Sequence, residues 1–140
     1  MTGFPYLWGG TSSKGMDCSG FTKTVYLMNG FIIPRDASQQ INAGKVVDEN
    51  LKFEGLEKGD LMFFGRKATE DNKQRVTHVG IWLGNDKMEF IHSAGNVHLS
   101  SMDAKHPKYD AFNKNRYLGS RRYLGIKDKL IIDLKDKIKL

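Results

Sequence analysis

The chain changes its period near residue 55. Ahead of that point, Phe21, Val25 and Met28 fall at helical spacing and Asn29-Gly30 supplies a stop. Beyond it, short apolar runs alternate with turn signals: Asp60 to Gly65 behind a Lys58-Gly59 turn, Val76 to Leu83, Lys87 to Ser93, Val97 to Leu99, and Arg116 to Leu124. Helices first and a meander of strands afterwards predicts an α+β domain, its N-terminal helices packed on one side of a C-terminal antiparallel sheet. The first helix is predicted over Cys18 to Met28 with Asp17 as its cap, and a second, shorter one over Ala37 to Ala43 behind Asp36. Residues 3–16, rich in glycine and interrupted by Pro5, read as a loop. The polar connection from Ser100 to Asn115 is too long for a simple turn, and such connections are often functional.

A length of 140 residues with 39% hydrophobic content supports one domain with a real core. We expect it to occupy residues 1–125, with 126–140 as a tail whose Leu130, Ile131, Leu134 and Ile138 fall on one side of an amphipathic helix. No apolar run reaches the length of a membrane span. No secretory signal precedes the first motif, which begins a few residues after Met1 and reads as the start of a domain cut from a longer chain. The net charge of +6 permits attraction to anionic polymers, yet no base-reading motif accompanies it; a solvated basic surface is expected, not nucleic-acid binding.

Cys18 is the only cysteine, so an internal disulfide and a zinc site built on several thiolates are both excluded. It stands in Asp17-Cys18-Ser19-Gly20-Phe21, after a Tyr6-Leu7-Trp8-Gly9-Gly10 turn and at the predicted start of a helix. Unpaired N–H groups there favour negative charge, hence the thiolate, which is the nucleophilic form. A base is then required. His78 and His92 lie in two runs separated by Gly84-Asn85-Asp86. A three-residue hairpin loop there would set the two imidazoles directly opposite one another, with Cβ atoms about 4.5–5.5 Å apart. A one-residue change in loop length would put them on opposite faces. The roles implied are Cys18 as nucleophile, His78 as general base and then acid, and His92 as orienter. His98 and His106 are expected at the surface.

Six segments in order carry a resemblance: Tyr6-Leu7-Trp8-Gly9-Gly10, Asp17-Cys18-Ser19-Gly20-Phe21, Pro34-Arg35-Asp36-Ala37-Ser38-Gln39-Gln40, Gly59-Asp60-Leu61-Met62-Phe63-Phe64, His78-Val79-Gly80-Ile81-Trp82 and Phe90-Ile91-His92-Ser93. Together they resemble the NlpC-type cell-wall peptidases, a papain-like cysteine peptidase group, and most of all its γ-D-glutamyl-L-diamino acid endopeptidases. The resemblance implies a papain-like fold and hydrolysis of the bond between the D-glutamate γ-carboxyl and diaminopimelate or lysine in peptidoglycan stem peptides or released muropeptides. It places Cys18, His78 and His92 at the catalytic positions and Tyr6 beside the oxyanion. Asp17, Ser19 and Ser38 fall where the stem peptide is recognised, and Trp8 on the cleft wall. No cofactor or metal is implied. The cell envelope is the implied location, and targeting or SH3-like domains of the kind that precede such peptidases are expected to be missing from this chain. Two other readings fit the same residues: an amidase or acyltransferase on this scaffold, and a silent module that only holds wall peptides.

Overall fold

A computed structural model describes residues 17–137. Helix α1 spans Cys18–Met28, the predicted bounds, and Asp17 caps it by accepting from the Gly20 N–H at 2.6 Å. Strand β1 (Phe31–Ile32) follows, then α2 (Ala37–Gln40) and β2 (Lys45–Val47). Helix α2 is shorter than expected because its last turn tightens: Asn42 and Ala43 donate to Gln39 and Gln40, three residues back. The main sheet continues with β3 (Leu61–Arg66), β4 (Arg75–Trp82), β5 (Glu89–Ser93) and β6 (Val97–Ser101). The long polar connection then holds a short helix, α3 (Ala111–Asn115), ahead of β7 (Tyr117–Arg122). The strand order is β2-β7-β3-β4-β5-β6, antiparallel throughout. The expected α+β architecture is therefore present.

Alternation along the strands divides the core between the two sheet faces. Leu61, Phe63, Val79, Ile81 and Ile91 meet Phe21, Val25 and Tyr26 of α1 and Ala37 of α2. Met62, Phe64, Trp82 and Phe90 face the other way, against Met102 and Tyr117. An ion pair joins two strands: the Arg122 guanidinium on β7 donates through Nε and Nη2 to both carboxylate oxygens of Asp60, just ahead of β3, at 3.0 and 2.9 Å. Asp60 is 2% exposed, so it needs this partner.

Two irregularities position the site. In β4, Gly65 pairs with Val76 and Phe64 with His78, which leaves Thr77 as a β-bulge. Val76 packs with the helix-side core, as do Val79 and Ile81, so the facing pattern slips by one residue across Thr77. Gly65 makes this possible: a Cβ there would lie 2.0 Å from the Arg75 carbonyl oxygen.

The second irregularity corrects the expected hairpin. Gly80 pairs with His92, and Leu83 donates to the Glu89 carbonyl, so the loop covers residues 84–88. Asn85 Oδ1 accepts from the Lys87 and Glu89 N–H groups, and Met88 takes φ 53°, holding Lys87 and Met88 in the turn. The register is two residues off the expected one. His78 is diagonal to His92 rather than opposite, and because the difference is even, both remain on one face.

The tail also differs from expectation. In place of a helix running on from Leu130, Ile132–Asp133 form β8, which pairs with β1, and α4 follows over Leu134–Lys137; Ile138 lies outside the described residues. No helix among the described residues is long and apolar enough to cross a membrane.

Candidate active site

Cys18 opens α1 and packs, partly buried, against the helix-side core. Its thiol faces the Thr77 carbonyl, with Sγ 3.9 Å from the oxygen, at the bulge just before His78. The backbone N–H groups of Val79, Ser19 and Cys18 itself are turned to the sulfur and favour its anion. Burial opposes them and prevails, with Asp17 adding repulsion, so the resting thiol is pushed up rather than down. This is a departure from the helix-start argument, which counted the N–H groups and not the desolvation.

His78 and His92 are joined directly: His78 Nε2 and His92 Nδ1 are 2.7 Å apart, with the ring planes at 75°. Gly80 lies opposite His92 and has no side chain to hold the two strands' rings apart. Burial lowers His78 to about 4, with the Arg116 charge adding to the effect. Burial and the neighbouring His78 lower His92 to about 3. Both imidazoles are therefore neutral at pH 7, with one protonated nitrogen each. His92 Nε2 lies 2.8 Å from Ser100 Oγ and 3.9 Å from Asp110 Oδ2. A carboxylate there favours the proton on His92 Nε2, leaving Nδ1 to accept from His78 Nε2–H. The lone pair of His78 is then on Nδ1, away from His92. Two imidazoles are thus set in tautomer from one end.

The sequence reading did not find Ser100, Asp110, Thr77 or Arg116. Ser100 and Asp110 lie in the long polar connection flagged as functional, where Asp110 caps α3 by accepting from the Asn113 N–H at 3.0 Å, whereas Arg116 stands where the following strand was expected to start. His98 is exposed as expected, yet its ring lies 4.2 Å from that of His92. His106 is partly buried and bonded to Glu89 at 2.8 Å.

The residues expected to recognise substrate are distributed unevenly. Arg35 ties two of them together, donating to Asp17 Oδ2 at 2.9 Å and to Ser19 Oγ at 3.0 Å. Asp17 remains largely exposed and its carboxyl is held below the ordinary range by that guanidinium. Ser19 is buried, and its carbonyl also accepts from Thr22 and Gln40. Ser38 is exposed on α2, and its hydroxyl has no hydrogen-bond partner among the described residues. Tyr6 and Trp8 lie outside the described residues.

An α+β scaffold that presents a helix-start cysteine to two adjacent strands carrying paired imidazoles defines a papain-like domain. The chain belongs to the NlpC/P60 family, whose profile matches residues 3–116. It is 42% identical over 123 residues to a gamma-D-glutamyl-L-lysine dipeptidyl-peptidase of Bacillus cereus, covering 87% of this chain and 33% of that protein. A protein of the same description from Bacillus subtilis is 46% identical over 91 residues, covering 65% of this chain and 28% of the relative. The crystal structure of an NlpC/P60 family protein from Bacillus cereus superposes with a TM-score of 0.59 at 40% identity, covering 88% of this chain and 36% of that one. The chain thus spans about a third of the length of these two relatives.

Proposed function

We propose that this domain is a cysteine peptidase that cleaves the γ-D-glutamyl–diamino acid bond of peptidoglycan stem peptides, with Cys18, His78 and His92 as its reacting group. The observation that carries the reading is the 2.7 Å bond between His92 on β5 and His78 on β4, the strand whose backbone abuts the Cys18 thiol. The relatives described as gamma-D-glutamyl-L-lysine dipeptidyl-peptidases support the choice of bond.

In this mechanism, His78 Nδ1 takes the thiol proton as sulfur attacks the γ-carbonyl carbon. Neither group is charged beforehand, because burial disfavours both ions. The proton moves as the carbon–sulfur bond forms, and the Asp110 carboxylate favours the resulting imidazolium. Backbone N–H groups at the start of α1, with the Tyr6 hydroxyl, stabilise the oxyanion. Collapse of the tetrahedral intermediate expels the diamino acid amine, which takes its proton from His78. Water then attacks the thioester with His78 as base, releasing the γ-carboxyl group and restoring the thiol. Asp17, sharing its charge with Arg35, and Ser38 receive the amino end of the peptide, and Trp8 walls the cleft. Stem peptides and released muropeptides are the substrates, and the cell envelope is the place of action.

The test is mass spectrometry of L-Ala-γ-D-Glu-L-Lys, or its diaminopimelate counterpart, after incubation with the chain. Release of the free diamino acid is expected, and Cys18→Ala should abolish it while leaving the fold unchanged. No cleavage by the parent chain, or cleavage at the parental rate by the variant, would refute the assignment.

A further inference from the structure

Arg116, between α3 and β7, is held by three residues near the thiol. Its Nε donates to Asn113 Oδ1 at 2.8 Å, and Nη1 donates to Thr77 Oγ1 at 3.0 Å. Its face rests on the Phe112 ring, 4.3 Å from the centroid. These contacts fix the plane of the guanidinium and leave the Nη2 end without an acceptor among the described residues. Arg35 and Arg122 each meet a carboxylate, whereas no carboxylate lies within ion-pair distance of Arg116 among the described residues. The nearby Asp110 directs both of its oxygens to Asn113, at 3.0 and 2.6 Å. Phe112 is 69% exposed, an apolar ring at the surface whose described contact is this cation.

The location gives the cation a direction. Thr77 is the bulged residue: its carbonyl faces the thiol and its hydroxyl holds Arg116, so the guanidinium stands on the imidazole side of Cys18. In the reaction proposed above, the leaving amine must also lie on that side, because His78 hands it a proton. The leaving residue is a diamino acid. It carries an α-carboxylate when the peptide ends there, and diaminopimelate carries a second carboxylate on its side chain. A planar guanidinium with fixed orientation and free outer N–H groups matches a carboxylate in two-point geometry.

We propose that Arg116, braced by Thr77, Asn113 and Phe112, receives a carboxylate of the leaving diamino acid and selects stem peptides that present one there. This rests on the peptidase reading for the identity of the leaving group.

The test reads binding, not turnover. Isothermal titration of the Cys18→Ala chain with L-Ala-γ-D-Glu-L-Lys and with its C-terminal amide isolates the α-carboxylate. The acid should bind at least about tenfold more tightly, the size expected of one charge-assisted pair. A diaminopimelate peptide amidated only at the α-carboxyl separates the sources: retained tight binding assigns the side-chain carboxylate. The preference for a carboxylate should vanish in Cys18→Ala/Arg116→Gln and persist in part in Cys18→Ala/Arg116→Lys. Equal binding of all three peptides by the Cys18→Ala chain, or a preference that survives Arg116→Gln, overturns the proposal. If the Gln variant does not fold, the comparison on Cys18→Ala alone still decides. Failure of the parent chain to hydrolyse either peptide would strike the peptidase reading instead, since the binding preference is measured without the thiol.

Discussion

At the scale of single residues, the site depends on groups that hold protons in place as much as on the group that reacts. Asp110 is the outermost of these, 3.9 Å from His92 Nε2, and its charge favours the protonated form of both imidazoles. Asp110→Asn keeps a competent helix cap and removes the charge. It should lower kcat by roughly tenfold, the equivalent of about one pKa unit of lost imidazolium stabilisation, with KM little changed. The pH profile of Cys18 alkylation should move to higher pH in the same variant. An unaltered profile would leave Asp110 as a cap only. Cys18, His78 and His92 were legible in the sequence because each sits in a motif with its own local logic. Asp110, Ser100 and Arg116 were not, because a polar residue in or at the edge of a long connection acquires a role only when the connection folds back on the sheet. Arg116 reaches Thr77, and nothing near Arg116 in the sequence announces that contact.

Among the elements, those defined by local physics were readable to the residue. Helix α1 has its period, cap and stop within one short segment, and its bounds match the prediction. Strands β1 and β2 escaped because they are two and three residues long and owe their pairing to β8 and β7, far along the chain. The β4–β5 register escaped because Asn85 recruits Lys87 and Met88 into the turn. That register gives Gly80 a definite duty. A Cβ at this position would lie 3.2 Å from His92 Cβ and 3.1 Å from Phe90 Cδ2. Gly80→Ala should displace His92 by a few tenths of an ångström and lower kcat/KM by between roughly tenfold and a hundredfold. The melting temperature should change little, since alanine otherwise favours the extended chain over glycine. Full activity in this variant would mean that the imidazole pair tolerates the displacement.

For the whole molecule, the two buried imidazoles couple stability to pH. Each is lowered in the folded state, to about 4 and about 3, from an ordinary value near 6.5. Between those values the unfolded chain binds more protons than the folded one, so stability is full above about pH 6.5 and declines as the pH falls toward 3. His78 alone accounts for roughly 3 kcal/mol over this interval, at about 1.4 kcal/mol per pKa unit. Denaturant midpoints should therefore fall between pH 6.5 and 4, and His78→Gln should flatten the decline. A midpoint that stays constant to pH 4 would show the imidazoles to be solvated. The fold also separates in sequence what it joins in space: the thiol enters with α1, and the two imidazoles arrive on β4 and β5. A ribosome releases Cys18 some sixty residues before His78, and until the sheet closes on α1 that cysteine has no imidazole at its side. Under the proposed mechanism, completion of the fold is the event that arms the molecule, and a half-made chain would carry no competent nucleophile into the cell that makes it.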